Sequence, residues 1–157
     1  MRMSNFVIPE AIIPALQAHT KEGAIREMVQ GLHSAGCFRA VDLDDIVKSI
    51  LRREQLGSTG IGRGIAIPHT KHASADRLLG TLALSPVGVP FESIDGEPVF
   101  VLVLLISPVD QPGNHLRALE NVVRTMKDES FVRSLRAATT SEEIWQLLDK
   151  AQPPWDR

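Results

Sequence analysis

At 157 residues, 43% of them hydrophobic, the chain is long enough for one domain with a real core. Its 17 Lys and Arg against 19 Asp and Glu give a formal net charge of −2. That balance supplies no basic stripe to neutralise phosphates, so nucleic acid is excluded as the expected partner. The one cysteine, Cys37, excludes an internal disulfide and a cysteine-built zinc cluster, and suits a reducing compartment.

The apolar residues between Phe6 and Leu16 are broken by Pro9, Glu10 and Pro14, which does not suit a signal peptide. Thr20 is placed to cap a helix over Lys21–Ser34, with Ala24, Ile25, Met28, Val29 and Leu32 on or beside one face and Gly36 beyond its end. Asp42 is placed to cap a second helix, Leu43–Arg53, with Ile46, Val47, Ile50 and Leu51 as its stripe. Gly57–Gly64 reads as loop. A short strand, Ile65–Ile67, runs into Pro68 and His69, and Leu79–Leu84 reads as another strand.

Val99–Ile106 is the longest apolar run. It falls well short of the ~20 residues of a membrane span and suits a central strand covered on both faces. We expect a cytoplasmic protein without membrane insertion. Pro108–Asn114 reads as loop, followed by helices over Leu116–Met126, Glu129–Ala137 behind Asp128, and a last one through Leu148 behind the capping-box pattern Thr140 to Glu143. Alternation of strands and helices predicts an α/β fold in three layers, α/β/α, with a small mixed central sheet flanked by helices. One domain is expected over residues 1–157, with an ordered core of about 6–150 and a fraying tail, Gln152–Arg157.

Histidines are the residues of interest for chemistry. His19 and His33 sit by or within the first helix and read as surface or boundary residues. His69, His72 and His115 follow strands, and ligand sites of open α/β sheets lie outside the carboxyl ends of strands. If Ile65–Ile67 and Val99–Ile106 are parallel neighbours, His69 and His115 share one rim.

The glycine-rich run Gly57-Ser58-Thr59-Gly60-Ile61-Gly62-Arg63-Gly64 is not a nucleotide loop. A P-loop needs Lys and then Ser or Thr after its last glycine, and a dinucleotide fingerprint needs a helix to follow. Here Arg63 and Gly64 occupy those places and a strand follows. Zinc held by His69, His72 and His115 is an alternative, although Lys71 between the first two would oppose a cation. No cofactor is implied.

Arg53-Glu54-Gln55-Leu56-Gly57-Ser58-Thr59, followed by Gly62-Arg63-Gly64-Ile65-Ala66-Ile67-Pro68-His69, resembles the active-site signature of the type-2 enzyme IIA family of the bacterial phosphoenolpyruvate-dependent phosphotransferase system. Asn114-His115-Leu116 falls where that family carries a second histidine. Asp128–Phe131 and Thr140–Glu143 resemble the openings of its two closing helices, so the likeness runs from about Phe6 to Leu148.

The resemblance implies a phosphocarrier. His69 matches the phosphorylated histidine, His115 the partner imidazole and Arg53 an assisting arginine. The implied donor is phospho-HPr, and the implied acceptor is an enzyme IIB domain or, in a regulatory branch, another protein. Leu56–Gly62 and the stand-alone chain favour the nitrogen-regulatory branch over a sugar-specific one. Taken singly, Arg53 also suits a solvated helix end and His115 a structural role.

Such chemistry asks for a neutral imidazole and for donors to a group carrying about two negative charges. His115, Arg53 and the amides at the start of the Leu116 helix are candidates, and so are the Ser58 and Thr59 hydroxyls. Leu56, Ile61, Phe91 and Leu116 are candidates for an apolar rim or for core. Thr70 departs from the glycine that many members have after the phosphorylated histidine.

Overall fold

The structure, a computed structural model, describes residues 1–151. The tail expected to fray, Gln152–Arg157, lies outside the described residues. The chain forms α1 (Lys21–Ser34), α2 (Leu43–Gln55), β1 (Gly60–Gly62), β2 (Ile65–Ala66), β3 (His69–Lys71), β4 (Leu79–Val89), β5 (Val99–Ser107), α3 (Pro112–Thr125), α4 (Glu129–Ala137) and α5 (Ser141–Lys150).

β5 organises the sheet. β4 runs antiparallel along one edge, from Leu79 opposite Ile106 to Val89 opposite Val99. β2 and β3 run parallel along the other edge, with Ile65 opposite Val101 and His69 opposite Leu105. The offset is the same for both, so β2 and β3 are one strand interrupted at Ile67 and Pro68. β1 folds back antiparallel onto β2.

Both faces of β5 are buried, which explains its unbroken apolar run. Leu102, Leu104 and Ile106 pack with Ala24, Ile25, Met28, Ile46 and Ile50 of α1 and α2. Val101, Val103 and Leu105 pack with Ala118, Val122, Leu135, Ile144 and Leu148 of α3, α4 and α5. This is the α/β/α layering that the sequence predicts.

Several helix starts follow the expected chemistry. Thr20 Oγ1 accepts from Gly23 N at 3.0 Å, Asp128 Oδ1 from Phe131 N at 3.1 Å, and Thr140 Oγ1 from Glu143 N at 3.1 Å. Asp42 differs. It closes a 3-10 turn, Ala40–Asp42, with helical backbone of its own, and its side chain caps no amide of α2.

Other elements depart from expectation for tertiary reasons. The glycine run is not all loop. Arg63 and Gly64, with φ of 58° and 77°, turn the chain so that β1 pairs with β2. Asp95 Oδ2 holds this turn by accepting from Arg63 N at 3.0 Å. α3 begins at Pro112, ahead of Leu116, with proline in the first turn where a missing N–H costs least. The N-terminal segment covers the outer edge of β4: Ile8 N donates to Gly80 O at 2.8 Å, Ile13 N to Leu82 O at 3.0 Å and Leu16 N to Leu84 O at 2.8 Å. These bonds satisfy an edge that would otherwise present unpaired backbone.

Candidate functional site

β2 and β5 run in the same direction, and α3 begins just beyond β5. His69 follows the interruption in the β2/β3 edge, and His115 lies in the first turn of α3. Their ring centroids are 5.3 Å apart, with planes tilted by 59°. The shared rim expected for parallel neighbours is therefore present.

Pro68 shapes the local geometry. It has no N–H for the ladder, yet its carbonyl still accepts from Leu105 N at 3.0 Å. The Ile67 carbonyl turns instead to the His69 ring, 2.7 Å from Nδ1. A carbonyl only accepts, so Nδ1 carries the proton and Nε2 carries the lone pair. Burial lowers the His69 pKa below its usual value, and the charges of Arg53 and Lys71 push the same way. The Ile67 carbonyl and Glu54 oppose the shift without reversing it. The ring is mainly neutral at neutral pH.

His115 is 8% exposed, and its Nδ1 is hydrogen-bonded to the Ser107 hydroxyl. Burial, followed by the neighbouring His69 and Lys71, pushes its pKa down to about 4. It too is neutral at pH 7.

Arg53 is half-buried in the last turn of α2, where Nη1 donates to Gly57 O at 2.9 Å. It thereby ties the helix end to the glycine loop, and its charge reaches His69. Ser58 and Thr59 are turned away from the role expected of their hydroxyls. Ser58 Oγ donates to Phe91 O at 2.5 Å and accepts from Gly60 N at 3.0 Å. Thr59 Oγ1 donates to Glu54 Oε2. Neither hydroxyl has a proton free for an incoming phosphate, because loop packing requires both.

His72 is not brought to the pair. Its Nε2 lies 2.6 Å from Asp45 Oδ2, and its Nδ1 accepts from Ser74 N at 3.1 Å. These bonds clasp the end of β3 to α2. Among the described residues no group of three or more His, Cys, Asp or Glu is arranged to hold a metal ion. The three-histidine zinc alternative is corrected accordingly.

Of the apolar rim candidates, Phe91 is fully buried and Ile61 packs against the core beneath α3–α5. Leu56 and Leu116 are 85% and 58% exposed. Thr70 is occupied in packing, its Oγ1 2.5 Å from Ser49 Oγ on α2.

Sequence reading missed two residues near the site. Glu54 is buried and accepts from Thr59 N at 3.2 Å and Lys21 Nζ at 3.0 Å. Its signal was a lone acid inside the Arg53–Thr59 run. Ser107, at the end of the apolar run, carried no signal beyond being polar there. No helix among the described residues is long and apolar enough to cross a membrane.

Comparisons with known proteins identify the family and the fold. Residues 5–151 match the family described as phosphoenolpyruvate-dependent sugar phosphotransferase system, EIIA 2. A nitrogen regulatory protein of Bradyrhizobium diazoefficiens is 34% identical over 154 residues, covering 98% of this chain and 97% of that one. A nitrogen regulatory protein of Klebsiella oxytoca is 39% identical over 152 residues, covering 96% and 92%. The crystal structure of the nitrogen regulatory protein IIA-Ntr from Neisseria meningitidis superposes with a TM-score of 0.84 at 27% identity, covering 93% of this chain and 98% of that one.

Proposed function

The chain belongs to the EIIA 2 family of the phosphoenolpyruvate-dependent sugar phosphotransferase system, and within it we propose a phosphocarrier that holds a phosphoryl group on Nε2 of His69. The donor is phospho-HPr. The acceptor is an enzyme IIB domain or, as the nitrogen regulatory relatives favour, a protein whose activity the phosphorylation state controls. The whole chain, 1–157, acts as a single domain in the cytoplasm.

The observation that carries this reading is the Ile67 carbonyl on His69 Nδ1, beside a second neutral imidazole. Phosphoryl transfer asks mainly for positioning and for stabilisation of charge on the transferred group. The Nε2 lone pair attacks phosphorus as the bond from phosphorus to the donor nitrogen breaks. His69 keeps its Nδ1 proton on the carbonyl throughout, so no base is needed. The phosphoryl oxygens meet His115 and the Arg53 guanidinium, which supply polar and cationic partners. Ser58 and Thr59 contribute through the shape of the loop that their hydroxyls hold. Exposed Leu56 and Leu116 leave the rim open to two successive protein partners.

The test is intact mass after incubation with enzyme I, HPr and phosphoenolpyruvate, beside His69→Ala. One acid-labile phosphoryl group on the native chain and none on the variant is the expected result. No gain, with HPr itself phosphorylated and drawn from the source organism, would sink the proposal. Rapid loss of the label to an enzyme IIB would favour transport, and its retention would favour regulation.

A further inference from the structure

We propose that Ser107 is a positioning residue: its hydroxyl donates to Nδ1 of His115 and so fixes the proton of that ring on Nε2, facing the phosphoryl group. The phosphoryl part of this inference rests on the phosphocarrier reading above, and the tautomer part stands on geometry alone.

Ser107 is the last residue of β5 and is 0% exposed. Its backbone is occupied by the edge strand. It pairs in register with Lys71, and its carbonyl accepts from His72 N at 2.9 Å. Only the hydroxyl is left for another task, and its one hydrogen-bond partner among the described residues is His115 Nδ1.

That bond has two possible directions. If Nδ1–H donated, the hydroxyl would accept and its own proton would be buried with no acceptor, a state that folded proteins avoid. If the hydroxyl donates, Nδ1 accepts with its lone pair and the hydroxyl proton is satisfied. Ser107 is 0% exposed, so water has no access with which to compensate the first arrangement. The second direction leaves Nε2–H as the remaining polar group of the ring.

The two imidazoles then differ in kind although they are neighbours. His69 donates from Nδ1 to Ile67 O and keeps an Nε2 lone pair for attack on phosphorus. His115 accepts at Nδ1 and offers an N–H. In the other tautomer His115 would turn a lone pair toward an anionic phosphate, and a neutral ring in that form repels what it is placed to bind. Charge is no substitute before the phosphoryl group arrives, since the buried ring beside His69 and Lys71 is then neutral at pH 7.

Long-range proton–nitrogen NMR of the histidine rings at pH 7 tests the tautomer without any donor protein. The native chain is expected to show His115 protonated at Nε2 with a bare Nδ1. Ser107→Ala, which removes one buried oxygen and adds no bulk, is expected to show a mixture of both forms. Its phosphorylation by phospho-HPr is expected to fall about tenfold, by analogy with the loss of a group that orients a metal-ligating histidine through its second nitrogen. Ser107→Thr restores both readouts if it folds as judged by thermal melting.

A native spectrum with the proton on Nδ1 overturns the proposal, and this result needs no variant. So does a Ser107→Ala protein with an unchanged tautomer, or with a changed tautomer and an undiminished rate. A native chain that takes no phosphate at all would remove the phosphocarrier reading, while the spectrum would still decide the tautomer.

Discussion

Lys21 Nζ, at the start of α1, lies 3.0 Å from Glu54 Oε1 near the end of α2, and the two side chains are 17% and 3% exposed. Thr59 donates to the same carboxylate from its amide and its hydroxyl, so one buried group joins both helices to the loop beside His69. Breaking a buried pair from one side strands a charge. Lys21 retains some solvent, which discounts the cost. Lys21→Met is expected to lower stability by about 1–3 kcal/mol, read from urea unfolding. A change within about 0.5 kcal/mol would show that the Thr59 bonds alone suffice.

Of the glycines, Gly60 leaves the least room for a side chain. A Cβ there would fall 2.2 Å from Ser93 Oγ and 2.9 Å from Ser93 Cβ. Gly60→Ala is expected to destabilise by at least about 2 kcal/mol, as overpacking does. Adding Ser93→Gly should recover part of that loss, because Ser93 Oγ is buried without a hydrogen-bond partner among the described residues. Additive losses in the double variant would place the conflict elsewhere.

His115 gives stability a pH dependence of definite sign. Unfolded, the ring titrates near 6.5, and folded, near 4. Between those values the unfolded chain binds a proton that the folded chain does not, so stability is full above pH 6.5 and declines as pH falls toward 4. His69, whose pKa is also lowered by burial, adds to the same trend. Urea midpoints from pH 7.5 to 4.5 should fall, and His115→Gln should flatten part of the slope. An unchanged slope in that variant would refute the assignment.

Arg53 acts on His69 through charge. Arg53→Ala is expected to raise the His69 titration midpoint, since a nearby positive charge that opposes protonation is gone. Its phosphorylation rate should drop by about 10²-fold, in the range seen when one donor to a developing charge is removed. Arg53→Lys should recover the midpoint better than the rate, because an ammonium lacks the forked donors. NMR titration and phosphoryl-transfer kinetics separate the two effects.

Local chemistry made much of this protein legible in its sequence. Thr20, Asp128 and Thr140 marked three helix starts because a cap needs only an amide a few residues on. The apolar stripes of α1 and α2 and the two-faced run of β5 stated which surfaces must be buried. The contiguous run from Arg53 to His69 pointed to the family and to its histidine. β3 was not legible, because His69-Thr70-Lys71 has no strand pattern of its own and becomes a strand only where β5 offers a free edge. The same holds for the N-terminal segment along β4, whose backbone bonds carry no side-chain signature.

The sequence by itself determined the layers, the starts of α1, α4 and α5, and the candidate nucleophile, since these rest on periodicity, on caps a few residues away or on one contiguous run. Only the tertiary structure decided that His115 stands beside His69, that His72 turns to Asp45, that Ser58 and Thr59 use their protons inward, and that Glu54 is buried under Lys21. Those outcomes are hydrogen bonds and burials whose partners come mostly from different elements. A side chain's free valence depends on what the fold has already placed against it.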